Sequence, residues 1–165
     1  MRRILPLTAI ACTVLLTACA ATPGNADPSS ARADGHVDDD FAWGEPASAD
    51  AADRIVEVEM LDTLEFSPAS IAVSVGETVT FRVTNTGDLP HDFTLGDSHT
   101  QAAHEAEMAE GMSEDAHAEP NVLSLDAGET GELTWRFTAP DTIQYGCHVP
   151  GHYDAGMVGT LTIES

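Results

Sequence analysis

The chain has 165 residues, enough for one domain of ordinary size with some chain to spare. Its formal net charge is −22, and its six basic residues are all arginines. That balance argues against a nucleic-acid binder, which needs cations to displace phosphate counterions, and against direct adsorption to an anionic lipid surface; it suits a salty medium or a basic partner.

Arg2 and Arg3 open the chain, and Ile4 to Leu16 form an apolar run too short to span a bilayer as a permanent helix. Residues 1–18 are therefore expected to be a targeting segment. Leu16-Thr17-Ala18-Cys19 resembles the lipobox of bacterial lipoproteins, which implies cleavage before Cys19 and a lipid on its thiol. Acyl chains buried at about 0.8 kcal/mol per CH₂ would hold such a protein on a membrane. An ordinary secretory signal with an incidental cysteine is the alternative. Either route implies a domain in the cell envelope, in the periplasm or on the extracellular face. Cys12 then leaves with the signal and Cys19 goes to lipid, so Cys147 is the remaining thiol in an oxidising compartment. Metal ligation is the most economical use for it.

Residues 19–53 read as the lipidated cysteine and an acidic tether, rich in Ala, Asp, Pro, Ser and Gly, with the run Asp38-Asp39-Asp40. Phe41 and Trp43 stand out there; they either dock on the domain edge or stay solvated.

From Arg54 to the end the apolar residues recur every second position, the mark of half-buried strands. Val56, Val58 and Met60 make one set; Ile71, Val73 and Val75 lead through Gly76-Glu77 to Val79, Phe81 and Val83. After the turn Asn85-Thr86-Gly87-Asp88, His91, Phe93 and Leu95 share a face. Val122 to Leu125 follow, then Leu133, Trp135 and Phe137, then Ile143, Tyr145 and Cys147, and last Met157, Gly159, Leu161 and Ile163. Seven or eight short strands with frequent turns predict an all-β, Greek-key β-sandwich over 54–165.

A 24-residue insertion, 97–120, breaks this pattern with seven acids, three histidines and two methionines. Its stretch 100–114 has helix-forming composition, and His104, Met108 and Met112 fall on one helical face. His99, His104, Met108, Met112 and His117 are candidates for further metal binding; a solvated acidic loop is the competing reading.

The decisive stretch runs from Tyr145 to Gly159. It holds Cys147, His152 and Met157 at spacing Cys-x4-His-x4-Met, with His91 upstream at a strand end. Two imidazoles, a thiolate and a weak thioether suit copper, the sulfurs favouring Cu(I) while the imidazoles also serve Cu(II). Pro150-Gly151 and Ala155-Gly156 supply the turns that let the loop fold back. His148 has the opposite parity to Cys147 and is expected at the surface. A dinuclear copper centre needs two cysteines in this loop and is excluded.

These residues, with the Asn85-Thr86-Gly87 turn and the closing Gly-x-Leu-x-Ile strand, make residues 54–165 resemble the cupredoxins, the family of plastocyanin, azurin, amicyanin and rusticyanin. The resemblance implies a cupredoxin-like sandwich with one type 1 copper held by His91, Cys147, His152 and Met157. It also implies single-electron transfer between redox protein partners through the edge of His152, inside an apolar patch of Leu89, Pro90, Val149 and Pro150. Asp92, where many members have asparagine, departs from the pattern, as does the insertion. The implied protein is a monomer and not an enzyme, lipid-anchored, with partners that carry basic docking surfaces. A second class of function is copper buffering or copper resistance, with the insertion as the working part.

Overall fold

The structure is a computed structural model that describes residues 41–111 and 119–165. The signal segment, Cys19, most of the expected tether, Met112 and His117 lie outside the described residues. No helix among the described residues is long and apolar enough to cross a membrane.

Among the described residues, ten strands form two five-stranded sheets. The first sheet has the order β1-β8-β5-β2-β3, from Gly44–Pro46, Thr130–Phe137, Thr78–Asn85, Arg54–Leu61 and Glu65–Ser67. The second has the order β4-β10-β9-β6-β7, from Ser70–Ser74, Val158–Glu164, Asp141–Gly146, His91–Gly96 and Val122–Leu125. Two pairings are parallel, β2 with β5 and β4 with β10, so the chain crosses between sheets rather than meandering. This is the β-sandwich that the alternating pattern predicts.

The alternation decides which side chains fill the space between the sheets. Val58, Met60, Phe81, Val83, Leu133, Trp135 and Phe137 point inward from the first sheet. Phe93, Leu95, Ile143, Tyr145, Leu161 and Ile163 meet them from the second. Phe93 stacks on Tyr145 at 5.4 Å, and Phe66 sets its edge against both rings. Each such pair adds roughly 0.5–1.5 kcal/mol beyond area burial. Residue 159 must be small, because a β-carbon there would run into the Tyr145 ring.

The structure corrects the expected domain boundary at Arg54. Residues 44–46 form β1 against β8, and Trp43 is buried with its indole stacked on Trp135 at 4.9 Å. Phe41 closes over the pair, edge-on to Trp135. The apolar residues of the supposed tether therefore belong to the core. Val75 departs too: it lies beyond the end of β4 in the turn through Gly76 and is 39% exposed.

The insertion is a helix, α1, Ser98–Ala109, capped by the Asp97 carboxylate, which accepts from the Thr100 amide. It packs on the outer face of the second sheet and buries Gln101 and His104. This covering explains why β6 is buried at every position, Asp92 and Thr94 included, where a half-exposed strand would alternate.

Candidate metal centre

One end of the sandwich is organised by two turns. Buried Asn85 donates to the carbonyls of Leu89 and Leu125 at 2.7 and 3.1 Å, and its side-chain oxygen accepts from the Gly87 amide. These bonds fix the approach to His91, the first residue of β6. On the neighbouring strand β9 delivers Cys147 just past Gly146. The loop after it folds back through left-handed conformations at Gly151 and Gly156. Backbone bonds close it: the His152 amide donates to Val149, the Met157 amide to His152, and the Cys147 amide to Met157 at 3.2 Å.

Three of the four expected side chains, those of His91, Cys147 and His152, converge. Cys147 Sγ lies 3.4 Å from His152 Nδ1 and 3.7 Å from His91 Nδ1, and the three atoms fall within 4.8 Å of one another. The imidazole centroids are 5.1 Å apart. His91 and Cys147 are fully buried, while His152 is half-buried. Met157 is fully buried and joined to both Cys147 and His152 through the backbone.

Burial at the centre disfavours the charged forms of Cys147 and His152. Burial pushes the Cys147 thiol up to about 11, against the amides of Asp92 and Val149, which point at the sulfur and stabilise its anion. The Asp92 amide is 3.3 Å from Sγ. Desolvation, and then the neighbouring His91, hold the His152 imidazole below its ordinary range. One buried thiol and two imidazole nitrogens are a donor set for a borderline-soft transition ion, and copper fits it. The ion's charge would draw the proton from the thiol.

Asp62, in the turn after β2, was not singled out by the sequence. Its Oδ1 accepts from His91 Nε2 at 3.3 Å and from the Leu89 amide at 3.2 Å, and its Oδ2 accepts from the Asp88 amide at 2.8 Å. The Asp88 amide is the main reason that this carboxyl lies below the usual carboxylate range. The signal for Asp62 lies in topology: the parallel register pairs Met60 with Asn85, which sets the residues after β2 beside the turn before His91.

His148 is not at the surface. It points away from the Cys147 side as its parity requires, but α1 covers that side and the ring is 1% exposed. Nδ1 is hydrogen-bonded to Glu105 Oε2 at 2.6 Å and Nε2 to Gln101 Oε1 at 2.7 Å. The ring stacks on Tyr153 at 4.6 Å and meets His104 edge-on at 4.9 Å. Gln101 in turn donates to the carbonyls of Thr94 and Gln144. Residue 146 must be glycine for this docking, since a β-carbon would press on both Gln101 and Tyr153. The helix thus grips the loop one residue from Cys147.

Of the further metal candidates, His99 is exposed and His104 is buried against His148. Among the described residues neither joins a group of three His, Cys, Asp or Glu side chains close enough for an ion. Met108 instead lines a groove of about 440 Å³ with Pro90, His91, Leu125, Val149 and Pro150. Leu89 beside it is 48% exposed.

Comparison with known proteins agrees with this geometry. A model of copper binding proteins of the plastocyanin/azurin family matches residues 52–164. The copper-resistant cuproprotein CopI of Rubrivivax gelatinosus is 41% identical over 138 residues, which cover 83% of each chain. CopI of Pseudomonas aeruginosa is 35% identical and spans 99% of this chain and 98% of its own. Among solved structures, auracyanin B superposes with a TM-score of 0.60 at 30% identity, covering 74% of this chain and 97% of that one.

Proposed function

The chain belongs to the plastocyanin/azurin family of copper-binding proteins, and on that premise we propose that it is an exported copper-handling protein that protects against excess copper. In this reading His91, Cys147 and His152 hold one copper ion, with Met157 as a fourth ligand. The observation that carries it is the buried thiol with two imidazole nitrogens at 3.4 and 3.7 Å. The end-to-end similarity to a copper-resistant cuproprotein supports the physiological role.

Bound copper supplies a one-electron Cu(II)/Cu(I) couple. The chain's own residues do the rest. The amides of Asp92 and Val149 stabilise charge on the Cys147 sulfur, the walls of β6 and β9 exclude water, and the backbone bonds from 147 to 157 keep His152 and Met157 in place. A site assembled in this way reorganises little between two charge states. We read it as a binding and redox protein rather than an enzyme, because the loop offers a single cysteine and no second cluster of ligands.

A second reading, single-electron carriage between redox proteins, is favoured by one observation. The half-buried His152 is two residues from Pro150 in a loop whose Val149 and Pro150 share with Pro90 a groove that Asp126 and Glu129 also line. A small apolar contact suits brief encounters, and the acidic surroundings would steer a basic partner. The sequence of residues 1–19 supports a lipid anchor at Cys19 in the cell envelope, which detergent partitioning of native and Cys19→Ser protein tests.

Titration with copper(II) should give one equivalent bound with an intense visible thiolate band, and Cys147→Ser should remove the band and leave the sandwich folded. In the source organism, loss of the gene should lower copper tolerance, restored by wild type and not by Cys147→Ser. Unchanged tolerance with an intact band would move the function to electron carriage. A persisting band in Cys147→Ser would sink the copper centre itself.

A further inference from the structure

The outer nitrogen of His91 is held by the carboxylate of Asp62, a solvent-exposed side chain positioned by the turn before His91. Three donors converge on Asp62: the amides of Asp88 and Leu89 and the His91 ring. Residue 87 has no β-carbon, and one placed there would collide with the Asp62 carboxylate. The turn carrying the donors is itself pinned by buried Asn85. His91 is fully buried, so its Nε2 has no access to bulk water and depends on this acceptor. A carboxylate is acceptor-only, which means that the ring donates its hydrogen from Nε2 and turns the bare Nδ1 lone pair toward Cys147.

Resting on the copper reading above, we propose that Asp62 is a positioning residue for His91: it fixes the ring's tautomer and orientation, and its negative charge behind the ligand favours Cu(II) over Cu(I). A carboxylate behind a metal-bound imidazole increases the basicity of the ring, and outer partners of this kind change metal affinity by about 10- to 100-fold. The more highly charged copper state gains more from both effects. The net result is a centre that holds Cu(II) more firmly than its ligands alone would. No protein group is oxidised or reduced; Asp62 acts only through His91.

The test has two arms. In metal-free wild type, ¹⁵N NMR of the ring should show His91 protonated at Nε2; protonation at Nδ1 would overturn the assignment without reference to copper. In copper-loaded protein, Asp62→Asn should shift the Cu(II)/Cu(I) equilibrium toward Cu(I) by about tenfold, or about 59 mV for a one-electron couple. Asp88→Asn serves as the control for general surface charge, since it removes a nearby carboxylate while keeping the amide that Asp62 uses. Gly87→Ala should reproduce the Asp62→Asn shift by expelling the carboxylate. Equal potentials in Asp62→Asn and Asp88→Asn, with the wild-type band intact, would refute the role of Asp62 alone. A wild type that forms no thiolate–copper band would refute the copper reading on which the potential rests.

Discussion

His91 and His152 bring the same imidazole nitrogen to the same sulfur by different means. His91 is the first residue of a fully buried strand, with a carboxylate behind its ring and a hydrogen-bonded turn before it. His152 sits in a loop closed by short backbone bonds, half-buried, and depends on whatever steadies that loop. The helix α1 does the steadying, through Gln101 and Glu105 on His148. The difference separates a ligand fixed by the sheet from a ligand fixed by a clamp. The insertion, unusual for a strand connection, becomes part of the site's support.

The largest effect that would break this contrast comes from deleting each ring. His152→Gly opens a half-exposed position, so added imidazole should enter and restore the visible copper band. His91→Gly leaves a hole walled by β6, β7 and the Asp62 turn, and imidazole should fail to restore it. Equal rescue of the two variants, measured by the band against imidazole concentration, would erase the distinction.

The next effect sharpens it. Gln101→Leu leaves the buried His148 ring without one of its partners, which costs roughly 1–3 kcal/mol. Denaturation of the metal-free protein should show that loss, and hydrogen exchange should quicken at 147–157 while β5 and β6 keep their protection. Uniform acceleration across both regions would mean that the helix supports the whole sheet rather than the loop.

The last effect, confined to alkaline pH and absent near neutrality, concerns the thiol that the two imidazoles share. Its acid range in the metal-free fold, about 11, lies above the ordinary 9.0, so the unfolded chain gives up the proton first. The fold therefore keeps this contribution below about pH 9 and loses it as pH rises toward about 11. Two units correspond to at most about 2–3 kcal/mol. The difference in stability between wild type and Cys147→Ala, followed by denaturant from pH 8 upward, isolates it. A flat difference would show that the thiol is not desolvated.

The strands and the meeting of His91, Cys147 and His152 were legible from the sequence because both depend on local pattern. The alternation from Val56 to Met60 and from Phe81 to Val83 appears directly as buried positions, and Cys147, His152 and His91 meet because parity and turns place them at one end. What escaped depends on contacts across the chain. β1 has no alternation in Gly44-Glu45-Pro46 and exists because β8 offers an edge. His148 reads as exposed until α1 is laid over it. Asp62 precedes His91 by 29 residues and meets it only through the parallel pairing of β2 and β5. Tertiary covering, rather than propensity, decided each of these.

The chain contains two tryptophans, and both are in one stack, Trp43 on Trp135. Intrinsic fluorescence from this molecule is consequently a local gauge, reading the seam where residues 41–46 join β8. An emission change on heating or in denaturant would register that seam opening. Traction applied at Phe41 would reach the same seam before any other described strand. Optical and mechanical measurements would thus share one reporter, independent of the candidate metal centre.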